Sequence, residues 1–306
     1  MIFSIIGTGA VGGFYGARLA RAGHDVHFLL HSDYDFVARH GLQVDSCDGS
    51  FHLDAPHVYR STADMPLSDV VLVCLKSVNN HLLPSLLPPL LHERTLVVLV
   101  QNGIGVEHDL QQRFPGLWLA AGVAFICSSK TEPGRILHEC NGSISIGNYS
   151  CEDEELVRLT VDAFSMAGIQ ANLVEYHAAR WKKAVWNMPF NGMTVALHTQ
   201  TDRLLANPVT EKFIFEQMME VVGAARQLGV SGIDEDFARQ MIASTKVMPP
   251  FSTSMRLDYD FHRPMEIDYL YTRPIKMARA AGYEMPRLAM LEAELRFLSG
   301  QTESLI

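Results

Sequence analysis

The sequence predicts an α/β fold: a doubly wound, mostly parallel sheet in the N-terminal half, followed by a C-terminal all-α domain. Three observations predict it. Short all-apolar runs alternate with helical patterns through the first half, as strands covered on both faces do. A glycine-rich turn directly follows the first of those runs and opens the first helix. From about Glu152 the alternation gives way to apolar residues recurring at helical spacing.

Ile2–Ile6 is the first buried strand, Ala10–Ala22 the first helix and Val26–Leu30 the second strand. Val70–Leu75 and Leu96–Val100 are further apolar runs, each ending in polar residues, with room between the runs for crossover helices. Ser143–Ile146, after Asn141-Gly142, is one of the last strands. In the second half Phe213, Met218, Val221, Val222, Ala225 and Leu228 follow a helical pattern that ends in Gly229, a C-cap residue. Arg279–Ala281, Gly282 and Leu288–Leu298 continue the helical theme, while Pro84–Pro89 and Pro249–Pro250 read as loops or helix ends. The boundary is expected near residues 170–176, giving domains 1–172 and 173–306.

A chain of 306 residues has the length of two domains at roughly 100–200 residues each. Its 48% hydrophobic and 19% charged content provides for substantial cores. Lys+Arg 25 against Asp+Glu 34 leaves a net charge of −9, which argues against nucleic acid or an anionic membrane as partner. Cys47, Cys74, Cys127, Cys140 and Cys151 form no C-x-x-C pair and read as reduced thiols of a cytoplasmic protein. No apolar run approaches the ~18 residues of a membrane span. The start, Met1 to Gly7, lacks the basic leader of a signal peptide. The 13 histidines include no H-E-x-x-H or comparable ligand cluster, so no metal is expected.

Gly7-Thr8-Gly9-Ala10-Val11-Gly12 fits G-x-G-x-x-G, and the strand before it and helix after it are the context in which that pattern binds a dinucleotide. Gly7 makes the tight turn, Gly9 lets backbone approach a pyrophosphate, and Gly12 allows close helix–strand packing. The helix N-terminus adds amide donors and partial positive charge. The first domain is thus expected to be a Rossmann-type sheet. A carboxylate after the second strand favours NAD, and a basic residue NADP. Leu30-His31-Ser32-Asp33 has no carboxylate directly after the strand, which leans to NADP with His31 near the ribose; an exposed loop histidine is the other reading.

Ligands of open parallel sheets bind beyond the carboxyl ends of the strands, where this sequence has Lys76 and Gln101-Asn102-Gly103. Lys76 is a candidate for cofactor polar groups, and the Asn102 amide can both donate and accept; a solvated lysine and an Asn-Gly turn are the plainer alternatives. Further on, Lys183, Asn187 and Asn191 are spaced i, i+4, i+8 and share one side of a helix, beside Trp181, Val185, Trp186 and Phe190. Such a stripe suits a small polyoxygenated anion, although a solvated face has the same spacing and Pro189 is expected to kink the helix between the asparagines. Ser254 and Glu266 lie in a segment of hydroxyls followed by acids, which helix capping and surface charge also explain.

Taken together, these residues resemble the ketopantoate reductase (2-dehydropantoate 2-reductase) family. The resemblance spans nearly the whole chain: the glycine turn, Leu75-Lys76, Gln101-Asn102-Gly103, Pro133-Gly134…His138…Gly142…Gly147, Lys183…Asn187…Asn191, and Ser254-Met255…Glu266-Ile267-Asp268-Tyr269. It implies a Rossmann domain and a helical domain with NADPH and a 2-oxo acid in the cleft between them. By position it implies Lys183 as proton donor, and Asn187, Asn191 and Ser254 as substrate ligands. It also implies Asn102 between nicotinamide and substrate, and Lys76 and Glu266 as cofactor contacts. Two positions depart from the family: the arginine often found after the second strand is His31, and a substrate-contacting asparagine is replaced near Thr201. Lys183, not Lys182, keeps the four-residue step to Asn187. The expected activity is NADPH-dependent reduction of a small anionic 2-oxo acid, ketopantoate first, by a cytoplasmic protein with a homodimer as default assembly. The competing readings are a related Rossmann oxidoreductase for a different 2-oxo acid and a catalytically silent NADP-binding regulator.

Overall fold

The computed structural model describes residues 1–300; residues 301–306, the end of the expected second domain, lie outside the described residues. The chain divides into two compact units, one of Met1–Gln101 with Val106–Tyr176, the other of Asn102–Gly105 with the chain from His177.

The first unit is built on a ten-stranded sheet. β1 (Ile2–Ile6), α1 (Ala10–Arg21), β2 (Asp25–Leu29) and α2 (Tyr34–His40) are followed by three short strands, β3 (Leu42–Ser46), β4 (Phe51–Leu53) and β5 (His57–Tyr59). Next come β6 (Val70–Val73), α3 (Leu83–Leu86), β7 (Leu96–Leu99) and α4 (Val106–Arg113). Two long strands, β8 (Trp118–Glu132) and β9 (Arg135–Asn148), then α5 (Glu154–Met166) and β10 (Ala171–Val174) complete the unit. The spatial order is β4-β3-β9-β8-β7-β6-β1-β2-β5, with β10 paired to β9. From β5 across to β8 every neighbouring pair is parallel. β6 and β7 lie inside this run, and all eight of their side chains are 0% exposed. This is why they read as unbroken apolar runs; each such burial contributes about 1.5–3 kcal/mol.

The sheet is not parallel throughout. β8 and β9 form an antiparallel hairpin closed at Pro133-Gly134, and β3 pairs antiparallel with β4. The expected strand Ser143–Ile146 is only the later part of β9. Earlier in β9 exposed Glu139 and Asn141 interrupt the apolar alternation, and the pairing with β8 slips at Phe125/Ile126 and at Cys127/Ser128. A half-solvated, irregular strand carries little periodic signal. All five cysteines are free thiols.

The second unit is helical. α6 (Tyr176–Ala196) begins at the unit boundary, followed by α7 (Thr201–Ala206), α8 (Pro208–Gln227) and α9 (Glu235–Lys246). α10 (Ser254–Asp260), a π-helical segment Asp268–Thr272, α11 (Arg273–Ala280) and α12 (Pro286–Ser299) complete it. The start of α8 is set by Asn207, whose side chain accepts from Val209 N, and by Pro208 in the first turn. Trp181, Val185, Met188 and Phe190 of α6 pack with Met218, Val221 and Ala225 of α8 and with Leu288, Leu291 and Leu295 of α12. Ile104 is part of this same core, so the four residues after Gln101 belong with the helices and not with the sheet.

α6 remains helical on both sides of Pro189. Proline leaves the Val185 carbonyl without its helical N–H partner, and two side chains bond other carbonyls of the same stretch. Asn191 Nδ2 donates to the Asn187 carbonyl at 2.9 Å, and the Tyr271 hydroxyl to the Met188 carbonyl at 2.5 Å. Among the described residues no helix is long and apolar enough to cross a membrane.

Candidate functional site

In the first unit, strand register aligns Ile6 with Leu29 and Val73, and Val73 with Leu99. The residues that follow these four strand ends, Gly7, Leu30-His31, Cys74-Leu75-Lys76 and Val100-Gln101, therefore leave the sheet along one edge. Gly7 has φ +93°, and a Cβ there would lie 2.6 Å from Leu75 N; a Cβ at Gly12 would lie 2.4 Å from the Gly7 carbonyl oxygen. Neither position admits a side chain. Gly9 differs, for a Cβ there would meet nothing within 4 Å. It caps α1 without a side-chain hydrogen bond, leaving the first-turn amides of Ala10, Val11 and Gly12 for an external acceptor. An open cradle over an uncapped helix N-terminus fits a pyrophosphate. Thr8 Oγ1 donates to the Leu29 carbonyl at 2.9 Å and ties the turn to β2.

His31 is exposed in the bend after β2. Asp33 is buried, accepts from Gly134 N at 3.2 Å, and has the Lys130 ammonium 3.1 Å from the same oxygen. Sequence alone gave no reason to pair Asp33 with Lys130. Lys76 is partly buried and heads the 3-10 turn Ser77–Leu82. Gln101 Nε2 donates to the Leu75 carbonyl at 2.8 Å and to Asn80 Oδ1 at 2.6 Å, joining the ends of β6 and β7.

In the second unit Lys183 and Asn187, one turn apart on α6, line a small pocket together with Gly103, Ile104, Arg180, Ala184, Tyr269 and Leu270. Gly103 is required there. Its φ is +98°, and a Cβ would lie 2.5 Å from the Tyr269 carbonyl oxygen. Ile104 N donates to that same carbonyl at 2.9 Å. This close packing carries Asn102 to the lysine: Lys183 Nζ donates to Asn102 Oδ1 at 2.7 Å. Asn102 Nδ2 in turn reaches the buried Glu266 at 3.5 Å, a long contact.

Lys183 is partly exposed through the pocket but densely surrounded by protein. That loss of water is the main cause lowering its pKa from 10.5 to about 7; Arg180 pushes the same way and Glu266 opposes it. A lysine so placed can hold or release a proton near neutrality. Lys182 turns elsewhere, its ammonium 5.9 Å from the centre of the Phe237 ring. Arg180 escaped the sequence reading, although it lies three residues before Lys183 and so on the same helix face.

The other expected residues sit apart from that pocket lining. Asn191 is 3% exposed; besides its bond to the Asn187 carbonyl, its Oδ1 accepts from Met255 N at 3.4 Å. Ser254 is the exposed first residue of α10, while Thr253 does the capping, accepting from Arg256 N at 3.3 Å. Thr201 is buried, with its backbone N–H on the Phe251 carbonyl at 3.2 Å, so it braces the segment leading to Ser254.

The family model described as ketopantoate reductase PanE/ApbA matches residues 3–150, and its C-terminal counterpart matches residues 175–299. The chain belongs to the ketopantoate reductase family. It is 40% identical to a 2-dehydropantoate 2-reductase from Nostoc sp. over 99% of this chain and 96% of that protein. The crystal structure of a 2-dehydropantoate 2-reductase from Geobacter metallireducens GS-15 matches with a TM-score of 0.94 and 34% identity, covering 97% of this chain and 99% of that one. The corresponding structure from Methylococcus capsulatus matches at 0.88 and 32% identity, covering 100% and 99%. Membership of this oxidoreductase family makes the chain an enzyme.

Proposed function

We propose that the chain reduces ketopantoate to pantoate with NADPH, and that Lys183 donates the proton. The observation that carries this reading is the lysine itself, its pKa lowered to about 7 and its Nζ bonded to Asn102 in a pocket beside Arg180 and Asn187. The 40% identical 2-dehydropantoate 2-reductase supports the substrate.

Gly7, Thr8, Gly9, Ala10, Val11 and Gly12 would hold the pyrophosphate, with Lys76, His31, Asn102 and Glu266 as further cofactor contacts. When bound, the reduced nicotinamide supplies a hydride to the ketone carbon. The chain does the rest. Arg180 and Lys183 attract an anionic substrate to a protein of net charge −9. Asn187 offers a donor to its oxygens from the pocket wall, while Asn191 and Ser254, outside that lining, would reach the substrate only if it extends beyond the pocket. As negative charge grows on the ketone oxygen, the Lys183 ammonium stabilises it and then passes a proton from Nζ to that oxygen. Asn102 orients the ammonium by accepting from it, and Glu266 offsets the repulsion from Arg180. Neutral lysine then regains its proton from solvent.

The nucleotide preference rests on His31 and Asp33. The nearest carboxylate after β2 is occupied by Lys130 and Gly134 N, which leaves exposed His31 to face a ribose phosphate. His31→Asp should lower the NADPH/NADH ratio of kcat/KM, because a carboxylate repels a 2′-phosphate and accepts from a ribose hydroxyl. An unchanged ratio places His31 away from the ribose. Thr201, where the family pattern implies an asparagine, favours a second reading in which a different 2-oxo acid is preferred. A panel of 2-oxo acids assayed by nicotinamide absorbance with NADPH and NADH tests both points. Ketopantoate with NADPH is expected to give the highest kcat/KM, and a clearly better 2-oxo acid rejects the substrate assignment.

A further inference from the structure

We propose that Asp25, His27 and His57 form a binding site for a divalent transition metal, best suited to Zn²⁺, on the edge of the sheet. β2 and β5 pair in parallel with His27 opposite His57, and Asp25 stands two residues before His27 on the same face. Their ligand atoms all lie within 4.8 Å of one another. Asp25 Oδ1 is 3.0 Å from His27 Nε2 and 3.2 Å from His57 Nδ1. A tetrahedral ion with ligand bonds of about 2.0–2.1 Å sets its ligands ~3.3 Å apart, close to both distances.

A second observation points to a ligand. His27 is only 5% exposed, and its Nε2 is buried without a hydrogen-bond partner, although the Asp25 oxygen is 3.0 Å away. The other ring nitrogen, Nδ1, is 3.0 Å from the Tyr59 hydroxyl, which fixes the ring's orientation in the way metal-bound histidines require. Asp25 and His57 are exposed, leaving the remaining coordination position to water. Two imidazoles and a carboxylate are ligands that zinc accepts readily.

The cluster of Cys47, Asp48 and His138 is the weaker candidate, because both nitrogens of His138 are engaged, by Ser46 Oγ at 2.9 Å and the Asn141 carbonyl at 3.1 Å. The Asp25 site is also separate from the nucleotide turn. Asp25 pairs with Ile2, at the opposite end of β1 from Ile6, a strand length of ~13 Å. A bound ion would clamp the three-residue edge strand β5 to β2. Ligands drawn from two adjacent strands leave no spacing motif in the sequence.

The test uses the untagged full chain, stripped with a chelator and titrated with Co²⁺ and then Zn²⁺, with thermal unfolding followed in parallel. A tetrahedral cobalt spectrum should saturate at about one ion per chain and be displaced by Zn²⁺. Zn²⁺ should also raise Tm by several degrees, while Mg²⁺ should not. His57→Ala should unfold like wild type without metal and lose both responses, and Tyr59→Phe should weaken Co²⁺ binding about tenfold or more. No cobalt spectrum in wild type, or responses undiminished in metal-free-stable His57→Ala, overturns the proposal.

Discussion

Lys183→Ala is expected to lower kcat for ketopantoate reduction by at least ~100-fold, the scale lost with a positioned general acid. Affinity for NADPH should be nearly unchanged, because the proposed pyrophosphate cradle is made by residues 7–12 of the first unit. The substitution should also leave the fold intact. Loss of water around the ammonium is what lowers its pKa, so the charge is a cost to stability, and the Asn102 side-chain carbonyl is an acceptor whose bond its removal gives up. Lys182→Ala supplies the control, since Lys182 sits over Phe237 and away from Asn102. It should keep most activity. Equal losses in the two variants would mean that the lysines act through general charge attraction. A larger loss at Lys182 would mean that the functional face of α6 is misassigned, and Asn187 and Asn191 with it.

Gly9→Asp is expected to abolish NADPH binding in a folded protein. A Cβ at Gly9 enters open space, so the fold should tolerate the side chain. Its carboxylate would then stand where a pyrophosphate must lie. At 4 Å and an effective dielectric constant of 20, each pair of like charges costs about 4 kcal/mol, enough for a loss well beyond 100-fold. Gly12→Ala should fail differently. Its methyl group would lie 2.4 Å from the Gly7 carbonyl oxygen, so misfolding or a large loss of Tm is expected before any cofactor effect. Nucleotide fluorescence titration with circular dichroism separates the two outcomes. Unchanged NADPH affinity in folded Gly9→Asp would remove the turn from the cofactor site.

The legible parts of this protein are those in which one face or one period dominates. β1, β6 and β7 are enclosed by neighbours and show as uninterrupted apolar runs; the glycine turn shows because Gly7 and Gly12 leave no room for another residue. The Lys183–Asn187 step shows because a helix keeps its period even through Pro189. What stayed hidden depends on partners distant in sequence. The attachment of Asn102–Gly105 to the helical unit is made by Tyr269, and the engagement of Asp33 by Lys130 and Gly134. β3, β4, β5 and most of the β8–β9 hairpin are short, half-solvated or slipped in register, and no period survives in them. Arg180 was visible by spacing but overlooked, since a lone arginine on a helix also reads as a surface charge.

The pH dependence of NADPH-driven ketopantoate reduction bears most directly on a lysine that is both acid and charge stabiliser. The active form is the protonated one, present below its pKa, so kcat/KM should be level on the acid side and fall about tenfold per pH unit above it. With the pKa of Lys183 lowered to about 7, the fall should begin near neutrality, far below the 10.5 of an ordinary lysine. The residual rate of Lys183→Ala should lack that fall. Reduction of ketopantoate that is lost on this limb in wild type is the predicted result. A wild-type rate that stays level to about pH 10, or no ketopantoate turnover at any pH, would contradict it.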